Sequence, residues 1–408
     1  MIPDSPFAPR LAVVLSGGGA RAAYQVGTLR YLARMRPRLR IPILTGVSAG
    51  GINAAFLAAH PGPLGDAVEA LAALWRSLEM EHVFHTSWPS LADKVVRWMA
   101  RLASGGSALA PEIRGMVDTA PLRRLLQRAL GETPDGIPGL TSRIAAGDLH
   151  ACALTAINYS TGQTVTFVEG GGLELWERPN RISVAARLRV EHVLASAALP
   201  LFFPAVRIGD AWYGDGGIRL SAPLSPALHL GADRILAVST RYRRSREEAS
   251  QHATVGYPPP AQILSVLLNA IFLDVIDQDH ERLLKINRMV EAIPPERRGA
   301  FRRIDLVLLR PSQDLGRLAG EFEPELPRGF RFLSRGLGTR ETASPDLLSL
   351  VLFQPGYLER LIAIGEGDAE ARGEELLALV DGRPVARAAE EREAEIAPAD
   401  RLPVATSE

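Results

Sequence analysis

The chain has 408 residues, 47% of them hydrophobic and 23% charged, a globular composition with length enough for a large core. Lysine plus arginine and aspartate plus glutamate both number 46, so no net charge draws the chain to nucleic acid and no nucleic-acid partner is expected. The single cysteine, Cys152, excludes an intrachain disulfide and a cysteine-rich metal site; no metal and no cofactor is expected.

Met1–Arg10 holds three prolines and no apolar stretch of the signal-peptide kind, so no signal peptide is expected. Leu11–Leu15 is wholly aliphatic, as in a strand buried on both faces. Ser16-Gly17-Gly18-Gly19 breaks it, and Ala20–Met35 then predicts a helix. Ile41–Val47 predicts a second buried strand and Gly51–Ala59 a helix of small residues. Asp66–Leu78 and Leu91–Leu102 carry helical spacing, and Ser104–Ser107 reads as a loop. Thr119 is placed to cap a helix that Gly131 closes. His150–Asn158 and Gln163–Glu169 form a hairpin signal. Val190–Ala198 predicts a short helix stopped by Pro200, and Ala205–Ile208 with Ala211–Tyr213 a second hairpin around Gly209-Asp210. Pro223–Leu230 reads as a helix, and Arg234–Ser239 and Ile304–Leu309 as the last strands. The apolar run Ile263–Ile276 is shorter than the roughly 20 residues that cross a bilayer.

Strands alternating with helices predict an α/β fold with a mostly parallel central sheet, helices on both faces, and added C-terminal helices. No linker divides the chain. The expected bounds are 8–312 for the α/β domain, 313–381 for a helical extension packed on it, and 382–408 for a disordered tail rich in Ala, Glu, Arg and Pro.

Gly46-Val47-Ser48-Ala49-Gly50 stands between a predicted strand and a predicted helix, the setting of a nucleophile elbow, although small residues also fill ordinary turns there. Acyl transfer by serine needs an activated hydroxyl, a base, and donors for the oxyanion. Ser16-Gly17-Gly18-Gly19-Ala20-Arg21 exposes several backbone N–H groups at a helix start, which suits an oxyanion or a phosphate. A dinucleotide fingerprint fails, since Ala22 holds the place of the third glycine and Leu39–Gly46 supplies no acid; a P-loop fails for want of Gly-Lys-Ser/Thr. Of the histidines His60, His82, His85, His150, His192, His229, His252 and His280, none sits in a Gly- or Asp-rich turn at a strand end, and each reads as a surface or core residue. Asp215, in Tyr213-Gly214-Asp215-Gly216-Gly217, is the better base; an ordinary Asp-Gly turn is the alternative.

These motifs, in this order, resemble those of the patatin-like phospholipases: Ser16–Arg21, Gly46–Gly50 and Asp215-Gly216-Gly217, with Ala195–Val206 similar to the family's segment before the aspartate. The resemblance covers about Leu11–Ser239. It implies a three-layer α/β/α patatin-like fold and a Ser–Asp dyad without a catalytic histidine. Ser48 would be the nucleophile, Asp215 the base, and Gly17, Gly18 and Gly19 the oxyanion donors, with Arg21 holding that loop by hydrogen bonds and Gly46 and Gly50 framing the elbow. The implied activity is a serine esterase of the phospholipase A or lysophospholipase type, acting on a phospholipid or other lipid ester. A transacylase with the same dyad, or a non-catalytic lipid-binding member of the fold, are the alternatives. The expected location is the cytoplasm, with peripheral membrane contact allowed; the oligomeric state is left open. Leu199–Val206 and Ile263–Ile276 read as core packing ahead of an acyl pocket or a membrane contact.

Overall fold

The computed structural model describes residues 10–84, 115–250, 262–263, 266–267, 275–326, 331 and 346–385. Ten strands form one sheet: β1 (Leu11–Leu15), β2 (Ile43–Val47), β3 (Ala151–Asn158), β4 (Thr164–Gly170), β5 (Glu177–Arg178), β6 (Arg181–Ala185), β7 (Val206–Ile208), β8 (Ala211–Asp215), β9 (Arg234–Val238) and β10 (Asp305–Leu309). The order is β10-β9-β1-β2-β3-β4-β6-β5, with β8 on β3 and β7 on β8. The block from β10 to β3 is parallel; β4 and β8 join β3 antiparallel, and β6 runs parallel to β4.

Side chains alternate across a strand, so an all-apolar strand feeds two cores. Leu11, Val13 and Leu15 enter one core and Ala12 and Val14 the other, and β9 and β10 divide in the same way. The larger core is covered by α1 (Ala23–Met35), α2 (Ala49–Ala59), α3 (Leu64–Arg76), α4 (Ala120–Leu130), α5 (Pro138–Ala145) and α6 (Val190–Ser196). The opposite face carries α7 (Ser225–His229) and α8 (Val275–Ala292). The result is the three-layer α/β/α arrangement.

The C-terminal helices α9 (Leu315–Phe322), α10 (Asp346–Val351), α11 (Pro355–Ala371) and α12 (Gly373–Asp381) complete the larger core. α11 lies backbone to backbone on α1: a Cβ at Gly27 would fall 1.9 Å from the Ile362 carbonyl oxygen, and one at Gly365 would fall 2.0 Å from that of Tyr24. This contact sets α10 above the end of β1.

Several boundaries differ from expectation for local reasons. The Ala20–Met35 helix opens with a 3₁₀ turn, Gly19–Ala22, and α2 starts at Ala49, directly behind Ser48. The edge strand β5, its neighbour β6 and helix α5 carry no strong periodic signal and are not predicted from the sequence; β5 is exposed and β6 only partly buried. The expected helix Leu91–Leu102, the loop Ser104–Ser107, most of Ile263–Ile276 and nearly all of the 382–408 tail lie outside the described residues. Among the described residues, no helix is long and apolar enough to cross a membrane, and no group of His, Cys, Asp and Glu is placed to hold a metal ion.

Candidate active site

The end of β2 turns so sharply that Ser48 adopts φ 55°, a left-handed conformation that a non-glycine residue holds only under constraint. The constraint is steric. A Cβ at Gly46 would lie 2.5 Å from the Gly50 carbonyl oxygen, and one at Gly50 would lie 2.3 Å from those of Leu15 and Ser16. The first turn of α2 therefore presses on β1 and β2, and Ser48 is the residue lifted out. Its N–H donates to the Ser196 carbonyl at 3.0 Å and approaches the Ser196 Oγ at 3.1 Å. The Ser196 hydroxyl in turn donates to the Thr155 carbonyl of β3 at 2.7 Å. Elbow, α6 and β3 are thus joined through one buried hydroxyl.

β3 also positions Asp215. The carboxylate ends β8, which pairs with β3 in the register Ala156 to Asp215. Asp215 is fully buried, and its N–H donates to the Ala198 carbonyl at 2.9 Å. Oδ1 accepts the Gly217 N–H at 2.9 Å; Oδ2 is buried without a hydrogen-bond partner among the described residues. Burial pushes the carboxyl up from 3.8 to about 7, although the Ser48 hydroxyl and the Gly217 N–H pull it partly back down. The Ser48 hydroxyl is therefore near the carboxyl, but Oδ2 has not closed on it as a formed hydrogen bond. Catalytic contacts in unliganded sites are commonly longer than in the reacting complex.

The glycine loop covers this pair. A Cβ on Gly17 would lie 3.0 Å from the Ser48 Cβ, and one on Gly19 would strike the Leu350 carbonyl oxygen. Gly17, Gly18 and Gly19 donate no backbone hydrogen bond among the described residues, so their N–H groups are available. Arg21, at 3% exposure, points away from the cavity: Nε–H donates to Ser349 Oγ at 2.6 Å, and the guanidinium pairs with the Asp346 carboxylate. The base of the loop is held by Gln25 Nε2–H donating to the Ser16 carbonyl at 2.8 Å.

Ser48, Gly18, Gly19 and Ala49 open onto a cavity enclosing about 860 Å³ of empty space that includes open solvent. The rest of its wall is apolar, including Ile52, Leu74, Leu122, Leu126, Leu350 and Phe353. Trp75, the one other polar-tipped side chain there, donates its indole N–H to Asn53 Oδ1 at 2.8 Å. The Leu199–Val206 segment, read from sequence as core, instead contributes Leu199 and Phe203 to this wall, and Leu201 between them is 74% exposed.

Among the described residues, no histidine lines the cavity. His192 is held down at about 4 by burial, takes the Arg189 N–H on Nδ1 at 3.0 Å, and meets Phe167 edge-on. His150 contacts Arg10, and His229 stacks on Trp176. The residues that sequence reasoning missed are Ser196, Asp346, Ser349 and Thr240. The first lay within the quoted Ala195–Val206 block; the others carry no local signal.

A family model described as patatin-like phospholipase matches residues 13–228. No curated protein matches the sequence. Solved structures similar to this chain include human GIVD cytosolic phospholipase A2, at 14% identity and TM-score 0.43, over 92% of this chain and 59% of that one. VipD from Legionella pneumophila aligns at 12% identity and TM-score 0.32, over 92% of this chain and 77% of that one. The type III effector protein ExoU of Pseudomonas aeruginosa aligns at 15% identity and TM-score 0.32, over 88% of this chain and 54% of that one. The chain thus spans about three fifths of the length of the human protein.

Proposed function

We propose, from the premise that this chain belongs to the patatin-like phospholipase family, that it is a lipid acyl hydrolase of the phospholipase A or lysophospholipase type working through Ser48 and Asp215. The observation that carries the reading is the buried Asp215 carboxyl beside the Ser48 hydroxyl, with one oxygen unpartnered and its affinity for a proton raised to near neutrality. An ordinary aspartate near 3.8 is a weak base for a hydroxyl; one near 7 is suited to hold and return a proton at neutral pH.

In the proposed reaction the acyl chain lies in the apolar cavity with the ester carbonyl at Ser48. Asp215 Oδ2 takes the hydroxyl proton as Ser48 Oγ forms a bond to the carbonyl carbon. The oxyanion receives the N–H groups of Gly17, Gly18 and Gly19, which add to the positive end of the α2 dipole behind Ser48. Collapse breaks the bond to the leaving alcohol, and Asp215 returns the proton to that oxygen. Water then gives its proton to Asp215 as its oxygen bonds to the acyl carbon; collapse breaks the bond to Ser48 Oγ, which takes the proton back from Asp215, and the carboxylic acid is released. Arg21 acts at one remove, fixing the loop through Asp346 and Ser349.

The test is Ser48→Ala, with circular dichroism to verify the fold, assayed on short-chain p-nitrophenyl esters and on phospholipid and lysophospholipid vesicles for released fatty acid. The expected result is loss of ester hydrolysis by on the order of 10³-fold or more. Hydrolysis at the wild-type rate would remove Ser48 from the mechanism.

A further inference from the structure

Three consecutive glycines make a loop whose peptide planes can flip at little cost, because φ on one side of a plane and ψ on the other are both unrestricted. An oxyanion donor that can flip is a poor one: in the flipped state the carbonyl oxygen, not the N–H, faces the developing charge. Something must select one orientation; the Gly17 carbonyl takes two hydroxyl donors, Ser16 at 3.3 Å and Thr240 at 2.6 Å, and Thr240 makes the shorter bond.

Thr240 follows β9, which lies beside β1 in the parallel register Leu15 to Val238. Both chains leave the sheet at the same edge. Thr240 is fully buried, and its hydroxyl donates to the Gly17 carbonyl oxygen at 2.6 Å. Gly18 sits against the same side chain: at φ 150° it holds a conformation other residues rarely adopt, and a Cβ there would lie 2.3 Å from Thr240 Oγ1. No described peptide bond is cis, so the Gly17 C=O and the Gly18 N–H point in opposite directions across one plane. With the carbonyl held on the Thr240 side, the N–H is turned to the other. That other side is the cavity: Gly18 and Ser48 line it, and Thr240 does not.

We propose that Thr240 is a positioning residue for acyl transfer, locking the Gly17–Gly18 peptide so that the Gly18 N–H is presented to the oxyanion. The proposal rests on the Ser48–Asp215 reading above. Thr240 lies beyond residues 13–228, the stretch that the family model matches. The hydroxyl also strengthens the donor electronically, since a carbonyl that accepts a hydrogen bond leaves its own peptide N–H more acidic.

The experiment uses the full chain and three variants. Thr240→Val removes the hydroxyl and keeps the shape, Thr240→Ala removes it and relieves the packing, and Thr240→Ser keeps it. Steady-state kinetics are measured on p-nitrophenyl butyrate, together with inhibition by a trifluoromethyl ketone, which forms a tetrahedral oxyanion on a serine nucleophile. Loss of a whole oxyanion donor lowers kcat on the order of 100-fold or more, and a loosened one should lose about tenfold or more. The expected result is that Val and Ala lower kcat by that factor with KM unchanged, weaken the trifluoromethyl ketone by the same factor, and leave the pH midpoint of kcat/KM in place. Ser should stay within about threefold of wild type, since the donor is kept. Wild-type kcat in the Val or Ala variant overturns the proposal, as does a rise in KM alone, or a Ser variant as impaired as Val. If Val and Ala both fail to fold while Ser folds, the hydroxyl serves the fold and the proposal is also lost. Ester hydrolysis that survives Ser48→Ala would strike instead at the underlying mechanism, so the two failures are distinguishable.

Discussion

Replacing Asp215 by Asn should make the protein more stable and inactive, and the stability gain should depend on pH in a way set by burial. The carboxyl titrates near 3.8 in an unfolded chain and at about 7 in the fold. A raised folded value means that the fold binds the proton more tightly than the unfolded chain does. The associated stability is fully present below pH 3.8, is lost as pH rises to about 7, and is flat above that. Each pH step inside the window removes about 1.4 kcal/mol, so from pH 5 to pH 8 wild type should lose about 3 kcal/mol relative to a variant that never ionises. Asn keeps an acceptor for the Gly217 N–H, so the comparison isolates the charge. Urea unfolding of both proteins at pH 5, 6, 7 and 8 measures it: the Asn variant should gain on wild type up to pH 7 and then run parallel. A difference that stays constant over that range would refute the claim that burial sets the Asp215 proton affinity. The same group predicts that wild-type kcat/KM rises about tenfold per pH unit below 7 and levels above it, with Asp215→Asn inactive throughout.

Two further outcomes follow from buried groups around the site. Arg21→Met should cost about 3–5 kcal/mol of unfolding free energy, because it removes the buried guanidinium that pairs with the Asp346 carboxylate; Arg21→Met with Asp346→Leu should recover most of the loss in urea midpoint, and a double variant no better than the single would show that the pair is not coupled. Cys152 is fully buried in β3, and burial pushes its thiol well above the ordinary range, so iodoacetamide at pH 8 should leave esterase activity and the thiol count of the folded protein unchanged.

How much of this was legible in the sequence depends on how far each feature reaches along the chain. β1 and β9 were legible because a strand buried on both faces is a continuous apolar run, Leu11–Leu15 in β1 and Ile235–Val238 in β9, and the two cores are that pattern folded up. The elbow was legible because the residues that answer its steric demands, Gly46 and Gly50, lie within five positions, although part of the crowding comes from Leu15 and Ser16. β5 and β6 were not, because a two-residue exposed edge strand and a partly buried neighbour need no apolar alternation. Nor could the sequence separate a cavity wall from a core: Leu199 and Phe203 are apolar in either place, and only the placement of α3, α4 and α10 leaves a space before them. The supports of the site are remote by nature. Ser196 meets Ser48 across 148 residues, Thr240 meets Gly17 across 223, and Asp346 meets Arg21 across 325.

Among the described residues no histidine stands at the serine, so the site's proton chemistry falls to the carboxylate. Ser48 and the glycine loop are products of short motifs, but a serine beside an ordinary aspartate would be a weak pair. What alters the aspartate is enclosure: β8 pairs with β3, α6 closes over both, and Asp215 has no exposure left. The proton affinity that a histidine would bring by its own chemistry arises here from the packing of β3 and α6 around the end of β8, which carries the carboxylate. Enclosure also explains the one hydrogen bond left unmade. If Oδ2 were satisfied by a second backbone N–H, as Oδ1 is by Gly217, the carboxyl would be pulled back toward its ordinary range and would lose the base role proposed for it. An unpartnered buried oxygen is ordinarily a defect; in the proposed reaction it is the atom that receives the Ser48 proton.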